Sequence, residues 1–283
     1  MKKIKLITMI MLSFCIVMTL STNAFAKKKV KIVYVEWACA TASSNVMKAV
    51  IEKATDYKVE LTPVAAAAMY SAIATNDQDA TTTGWLPVTH ADYVKRFEGR
   101  IVDLGPNMEG AKIGLVVPKY VTINSIEELD NEYKKFDGDI IGIDPGAGVM
   151  RCAEQALVDY NLKKIELISS SGPMMTATLQ NRYKNNKWVV VTGWVPHWKF
   201  AKFDLKFLED PKKVFGEAET INTIVRNDLK KDMPEVYKIL DNFYWGPSEI
   251  GEVMAMNMEN GQVEKNAVTW VEKNPEIVNK WIK

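Results

Sequence analysis

The chain has 283 residues, 25% of them charged and 47% hydrophobic, with 36 Lys and Arg against 35 Asp and Glu. That balance leaves no electrostatic footprint for nucleic acid or for an anionic membrane surface. The length exceeds what one hydrophobic core usually holds, so two lobes are expected.

The chain opens with a basic stretch, Met1–Lys5, and an apolar run from Leu6 to Leu20. Ala24-Phe25-Ala26 follows as a small-x-small cleavage site, so residues 1–26 read as a signal peptide. Without its three lysines the balance becomes 33 basic against 35 acidic residues, a formal charge of −2. No later segment approaches the ~18 apolar residues a membrane span needs. The protein is expected to be exported and free of the membrane. Cys39 and Cys152 remain; export permits a bridge between them, but their separation does not require one.

Lys29–Val35 is a β-branched apolar run, and apolar residues at helical spacing follow over Ser43–Ala54, with Ser43 and Ser44 as cap candidates. Val59–Val64 and Asp79–Trp85 read as further strands, with helices over Ala65–Thr75 and Thr89–Phe97. This β-α-β-α-β order predicts a mostly parallel sheet. Gly114–Pro118 is another strand, and Ser125 opens a capping-box pattern. Ile140–Ile143, Ile165–Ser169 and Trp188–Thr192 then alternate with helices over Val149–Tyr160 and around Met174–Tyr183, a second α/β lobe. Thr220–Val225 reads as a strand returning to the first lobe, and helices from Lys238, Pro247, Val263 and Pro275 complete the chain. The expected division is 27–116 with 225–283 for lobe 1 and 117–224 for lobe 2, two crossings forming a hinge over a cleft.

Three of the eight tryptophans fall at strand ends: Trp37 after the first strand, Trp85 before Leu86-Pro87, and Trp194 before Val195-Pro196. Ligands of open α/β sheets bind at the carboxyl ends of strands. Indole faces gathered there point to a cage for an organic cation, since Trp is the strongest cation–π partner. Trp188, Trp198, Trp245, Trp270 and Trp281 read instead as core or helix-packing residues. Gly142-Ile143-Asp144-Pro145-Gly146-Ala147-Gly148 reads either as a strand-to-helix turn or as an anion site of free backbone N–H groups. His90, five residues after Trp85, is placed to offer a donor to the same cleft, whereas His197 reads as structural. A cage opposite an anion-binding turn describes a site for a small zwitterion. A hydrolase using Ser170 or Cys39 is the competing class, although Ser169-Ser170-Ser171-Gly172 lacks a nucleophile elbow. Metal ligands at a usable spacing are missing, so neither metal nor cofactor is expected.

With these motifs the chain resembles the substrate-binding proteins of glycine betaine/proline betaine ABC transporters. The matching stretches include Tyr34–Trp37, Gly84–His90, Gly142–Gly148, Thr192–Trp198 and Trp270–Pro275, and they extend over nearly the whole chain after residue 26. The resemblance implies a two-lobed periplasmic-binding-protein fold (type II), each lobe a mostly parallel sheet flanked by helices, joined by a hinge. It implies a prism of Trp37, Trp85 and Trp194 around the trimethylammonium group, with the ligand carboxylate held by His90 and the backbone N–H groups of Gly142 and Ile143. It also implies a monomeric periplasmic receptor that delivers a betaine to a membrane permease. Ala38-Cys39-Ala40 and Met69-Tyr70 depart from the family pattern. They keep choline, carnitine and dimethylsulfoniopropionate open as ligands.

Overall fold

The computed structural model describes residues 28–283, and the expected signal peptide lies outside the described residues. Nine strands run in chain order: β1 (Lys29–Tyr34), β2 (Lys58–Pro63), β3 (Ala80–Leu86), β4 (Ile101–Pro118), β5 (Asp139–Ile141), β6 (Glu166–Ile168), β7 (Val190–Val195), β8 (Leu205–Phe207) and β9 (Glu219–Arg226). They pair in the order β2-β1-β3-β9-β4-β7-β5-β6, with β8 against β4.

Two parallel trios stand at the ends of this path. β1 runs parallel to β2 and β3, and β5 runs parallel to β6 and β7. The middle is antiparallel: β9 pairs with β3 and β4, and β4 pairs with β7 and β8. β4 belongs to both halves. Ile101 to Ala111 face β9, while Lys112 to Pro118 face β7 and β8. The sequence predicts only the Gly114–Pro118 end of this strand. Gly105, Pro106 and Gly110 make its first part read as loop, and the β4–β9 register slips three times across that stretch. Such irregularities bend and twist a strand while the ladder continues.

The helix Ala38–Ala54 begins five residues before the expected Ser43 cap. Alanines at 38, 40 and 42 carry the helix back to Trp37, which takes the extended N-cap position. Ser43 and Ser44 are therefore mid-helix and buried, and the Ser43 hydroxyl shares a 2.7 Å hydrogen bond with Thr82 on β3. The Ser125 capping box forms as expected, opening a 3-10 turn over Ile126–Asn131. Three of the C-terminal helices (Pro234–Asp241, Pro247–Asn260 and Pro275–Ile282) start with proline, whose fixed φ suits the first helical position. Together with Val263–Lys273, they bury Trp245, Trp270 and Trp281 in one aromatic cluster. None of the helices among the described residues is long and apolar enough to cross a membrane.

Candidate functional site

Both parallel trios aim their carboxyl ends at one cavity. Trp37 stands just beyond β1, Trp85 near the end of β3, Ile143 just beyond β5 and Trp194 near the end of β7. All four line one cavity, with Ile113 and Val149 beside them; the space between protein atoms there, part of it open to solvent, is about 270 Å³. Ala147, Gly148 and Thr89 complete the wall, so the lining holds no formal charge. The three indoles are each at most 6% exposed. Three buried indoles thus meet in one wall without formal charge.

Each wall has its own support. The Trp37 indole N–H donates to Asp144 Oδ1 at 3.1 Å, which fixes the ring against the opposite half. A carboxylate accepting an indole N–H also enriches the ring in electron density, favouring a cation on its face. The turn after Trp85 hangs on Glu219 at the start of β9. This buried carboxylate accepts the Val88 N–H at 2.8 Å, the Thr89 N–H at 2.7 Å and the Thr89 hydroxyl at 2.5 Å. The bonds that follow Trp85 and Trp194 by one residue, Leu86–Pro87 and Val195–Pro196, are cis.

His90 is fully buried beside this wall, its ring centroid 5.8 Å from that of Trp37. Its Nδ1 accepts the Trp85 backbone N–H at 3.1 Å and lies 3.1 Å from the Tyr70 hydroxyl. A nitrogen that accepts an amide N–H carries no proton, so the neutral ring carries its proton on Nε2. Burial, with a smaller push from Arg151, lowers the His90 pKa to about 3, so the ring stays neutral at physiological pH. Its Nε2 has no partner among the described residues.

The Gly142–Gly148 turn does not offer its amides equally. The Gly142 N–H already donates to the Ile168 carbonyl at 2.8 Å, contrary to its expected role as a free donor. The reason is the sheet: Gly142 continues the β5–β6 ladder by one residue. The Ile143 N–H meets only the Met150 sulfur at 3.2 Å, a weak acceptor. Gly146 takes φ +89, a left-handed conformation that glycine accommodates. Gly148 is there for closeness: a Cβ on it would stand 2.0 Å from the Thr89 carbonyl oxygen.

That approach is one of several contacts between the halves. Tyr93 donates its hydroxyl to the Gly146 carbonyl at 2.7 Å, and Arg151 reaches the Val88 carbonyl at 2.9 Å and Asp92 at 3.3 Å. The halves are closed on the cavity. Asp144, Thr89, Gly148 and Tyr70 escape a reading of isolated motifs. Of these, only Gly148 carries a local signal, through the glycine spacing of its turn.

Cys39 and Cys152 are both free and buried. Burial pushes the Cys39 thiol up to about 11, the reverse of what a nucleophile needs. The Ser170 hydroxyl donates to the Gly142 carbonyl at 2.6 Å and thus braces the turn. His197 accepts the Lys199 N–H at 3.1 Å through Nδ1, a structural bond.

A two-halved α/β protein closing an indole-lined cavity has the build of a solute-binding protein of a transporter. Over residues 28–273 the chain matches the family described as the substrate-binding domain of ABC-type glycine betaine transport systems, and it belongs to that family. The glycine betaine/carnitine transport binding protein GbuC of Listeria monocytogenes is 49% identical over 144 residues, 50% of this chain and 48% of that protein. The match thus spans about half the length of that curated relative. Among solved structures, the glycine betaine/L-proline-binding protein ProX of Borrelia burgdorferi superposes with a TM-score of 0.87 at 41% identity, covering 90% of this chain and 97% of that one. Lactococcal OpuAC, closed on glycine betaine, gives 0.86 at 41% identity over 90% of this chain and all of that one.

Proposed function

We propose that the protein is an exported, monomeric receptor that encloses glycine betaine between two lobes and hands it to the membrane permease of an ABC transporter. The observation that carries this is the closure of Trp37, Trp85 and Trp194 on a single uncharged cavity. A trimethylammonium group has no N–H to donate, so indole faces suit it better than hydrogen-bond acceptors. The ligand carboxylate needs donors, because a buried carboxylate without partners is costly. The unpartnered Nε2–H of His90 and the weakly engaged N–H of Ile143 supply them. Gly142 acts as backbone support unless its bond to Ile168 opens. The lobes in this reading are 27–111 with 219–283, and 112–218, hinged where β4 passes between its two sets of partners, a few residues before the expected boundaries at 116/117 and 224/225.

Two relatives support the choice of ligand: lactococcal OpuAC is complexed with glycine betaine, and the Listeria protein is a binding protein for glycine betaine and carnitine transport. Isothermal titration of the purified protein with glycine betaine, carnitine and choline tests the assignment. One-to-one binding that favours glycine betaine is expected. Binding of choline alone would overturn the carboxylate clamp and keep the cage, and silence for all three would overturn both.

A further inference from the structure

Lys199 is the unusual group of this molecule. Its side chain is completely buried and its Nζ has no hydrogen-bond partner among the described residues. The Nζ stands 4.2 Å from the ring centroid of Trp194, and Lys199 itself does not line the cavity. Trp194 thus both lines the ligand space and carries an amine over its ring.

We infer that Lys199 is a specificity-determining residue: its unpaired amine over the Trp194 ring makes the cage reject ligands of net positive charge in favour of zwitterions. The inference rests on the cation-cage reading above. A cation held by the Trp194 face sits within about 6 Å of its centroid. It therefore lies no more than about 10 Å from Nζ, across an interior that screens poorly. When Lys199 carries a proton, that proton repels the ligand cation. A zwitterion brings its own carboxylate into the same field and recovers part of the loss; choline has no such compensation.

The surroundings leave the amine nothing else to answer to. Cys39 on the helix Ala38–Ala54 is the titratable group that acts on it, and His197 lies just before it in the chain. Trp194 and Phe200 present rings, the latter with its centroid 5.5 Å from Nζ. Among the described residues no carboxylate is within ion-pairing distance. Burial lowers the Lys199 pKa to about 7, while His90 sits near 3, His197 well below its ordinary value and Cys39 near 11. Of the groups named around the cage, Lys199 is thus the one that changes charge between pH 6 and 8.5.

The test is titration calorimetry of the purified protein and of Lys199→Met with choline and with glycine betaine at pH 6.0 and 8.5. In the parent, lowering the pH should weaken choline about tenfold and glycine betaine about threefold or less. Both ligands stay in one charge state over this range. In Lys199→Met the pH dependence should vanish, and at pH 6.0 choline should gain on glycine betaine relative to the parent. The parent alone offers a second reading should the variant not fold: at pH 7, choline binding should release a proton, seen as a heat that varies with the ionisation enthalpy of the buffer. Parallel pH profiles for the two ligands in the parent, or a variant with an unchanged ligand ratio at pH 6.0, would overturn the inference. So would choline undetectable in both proteins. Glycine betaine binding normally through all of these results would leave the proposed function standing, and its absence would overturn both.

Discussion

Two groups of three tryptophans do opposite work in this molecule. Trp245, Trp270 and Trp281 pack on one another: Trp270 and Trp281 stack at 6.0 Å, and Trp245 meets Trp270 edge-on at 5.9 Å. Trp270 and Trp281 donate their N–H groups to Glu252 and to the Tyr244 carbonyl. Trp37, Trp85 and Trp194 do not stack on each other but share a cavity wall; among the described residues the N–H groups of Trp85 and Trp194 have no partner, and neither has that of Trp245 in the first group. The first group belongs to adjacent C-terminal elements. The second is drawn from the carboxyl ends of β1, β3 and β7, Trp37 standing just past β1, and these strands lie in both halves of the sheet. Both groups are equally buried, so burial does not separate a structural indole from a binding one. What separates them is whether its face is filled by the protein or left for something else.

Substitution should break the two groups in different ways. Trp270→Ala or Trp281→Ala removes a packed side chain and should cost about 3–5 kcal/mol of folding stability, measured by urea unfolding. Trp37→Ala, Trp85→Ala or Trp194→Ala should each weaken glycine betaine by about tenfold or more, since one desolvated cation–π contact contributes up to about 2 kcal/mol. Their ligand-free stability should fall less than that of the core variants. A cage variant that unfolds as readily as Trp270→Ala while binding ligand normally would erase the distinction.

The cage also depends on two halves meeting, which the core cluster does not. Gly148→Ala would place a methyl 2.0 Å from the Thr89 carbonyl, a backbone atom that cannot swing aside. Overpacking of this kind costs about 1–3 kcal/mol, so ligand affinity should drop by about tenfold to a hundredfold. Opening about the proposed hinge would relieve the clash in the ligand-free protein, so its thermal midpoint should change little. An equal loss of midpoint and affinity would mean that Gly148 is packed the same way in every state.

These contrasts mark where sequence reading reaches its limit. The gathering of Trp37, Trp85 and Trp194 at one pocket was legible because each indole sits at the end of a β-branched run, and strand ends are visible in one dimension. The parallel trios were legible from the β-α alternation. The first part of β4 was not, because Gly105, Pro106 and Gly110 are loop residues by composition and the ladder supplied by β9 lies over a hundred residues away. The Ser43-Ser44 pair misled for a related reason: a serine reads as a cap until a tertiary partner such as Thr82 takes its hydroxyl. Asp144 beneath Trp37, Tyr70 beside His90 and Lys199 over the Trp194 ring are long-range pairings or depend on side-chain burial, and no local pattern announces them.

The smallest expected effect concerns the two histidines, both on the cage side of the comparison and without counterpart in the core cluster. Burial is the main cause that keeps both neutral, His90 down to a pKa of about 3 and His197 well below 6.5. In the unfolded chain each takes up a proton near pH 6.5. Between that pH and the native values the unfolded state binds more protons than the folded one, so stability falls as the pH falls. Each histidine contributes at most about 1.4 kcal/mol per pH unit. Urea unfolding of the parent and of His90→Gln between pH 6.5 and 5 isolates one of them, because the other groups cancel in the difference. The variant should lose less stability than the parent over that interval. His90→Leu, which also lacks any side-chain N–H donor, should in addition favour choline relative to glycine betaine, since the proposed Nε2–H donor to the carboxylate is gone. Identical pH slopes would mean that His90 carries a proton in the native state; its Nδ1 would then no longer accept from Trp85, and its assignment as a neutral donor would fail.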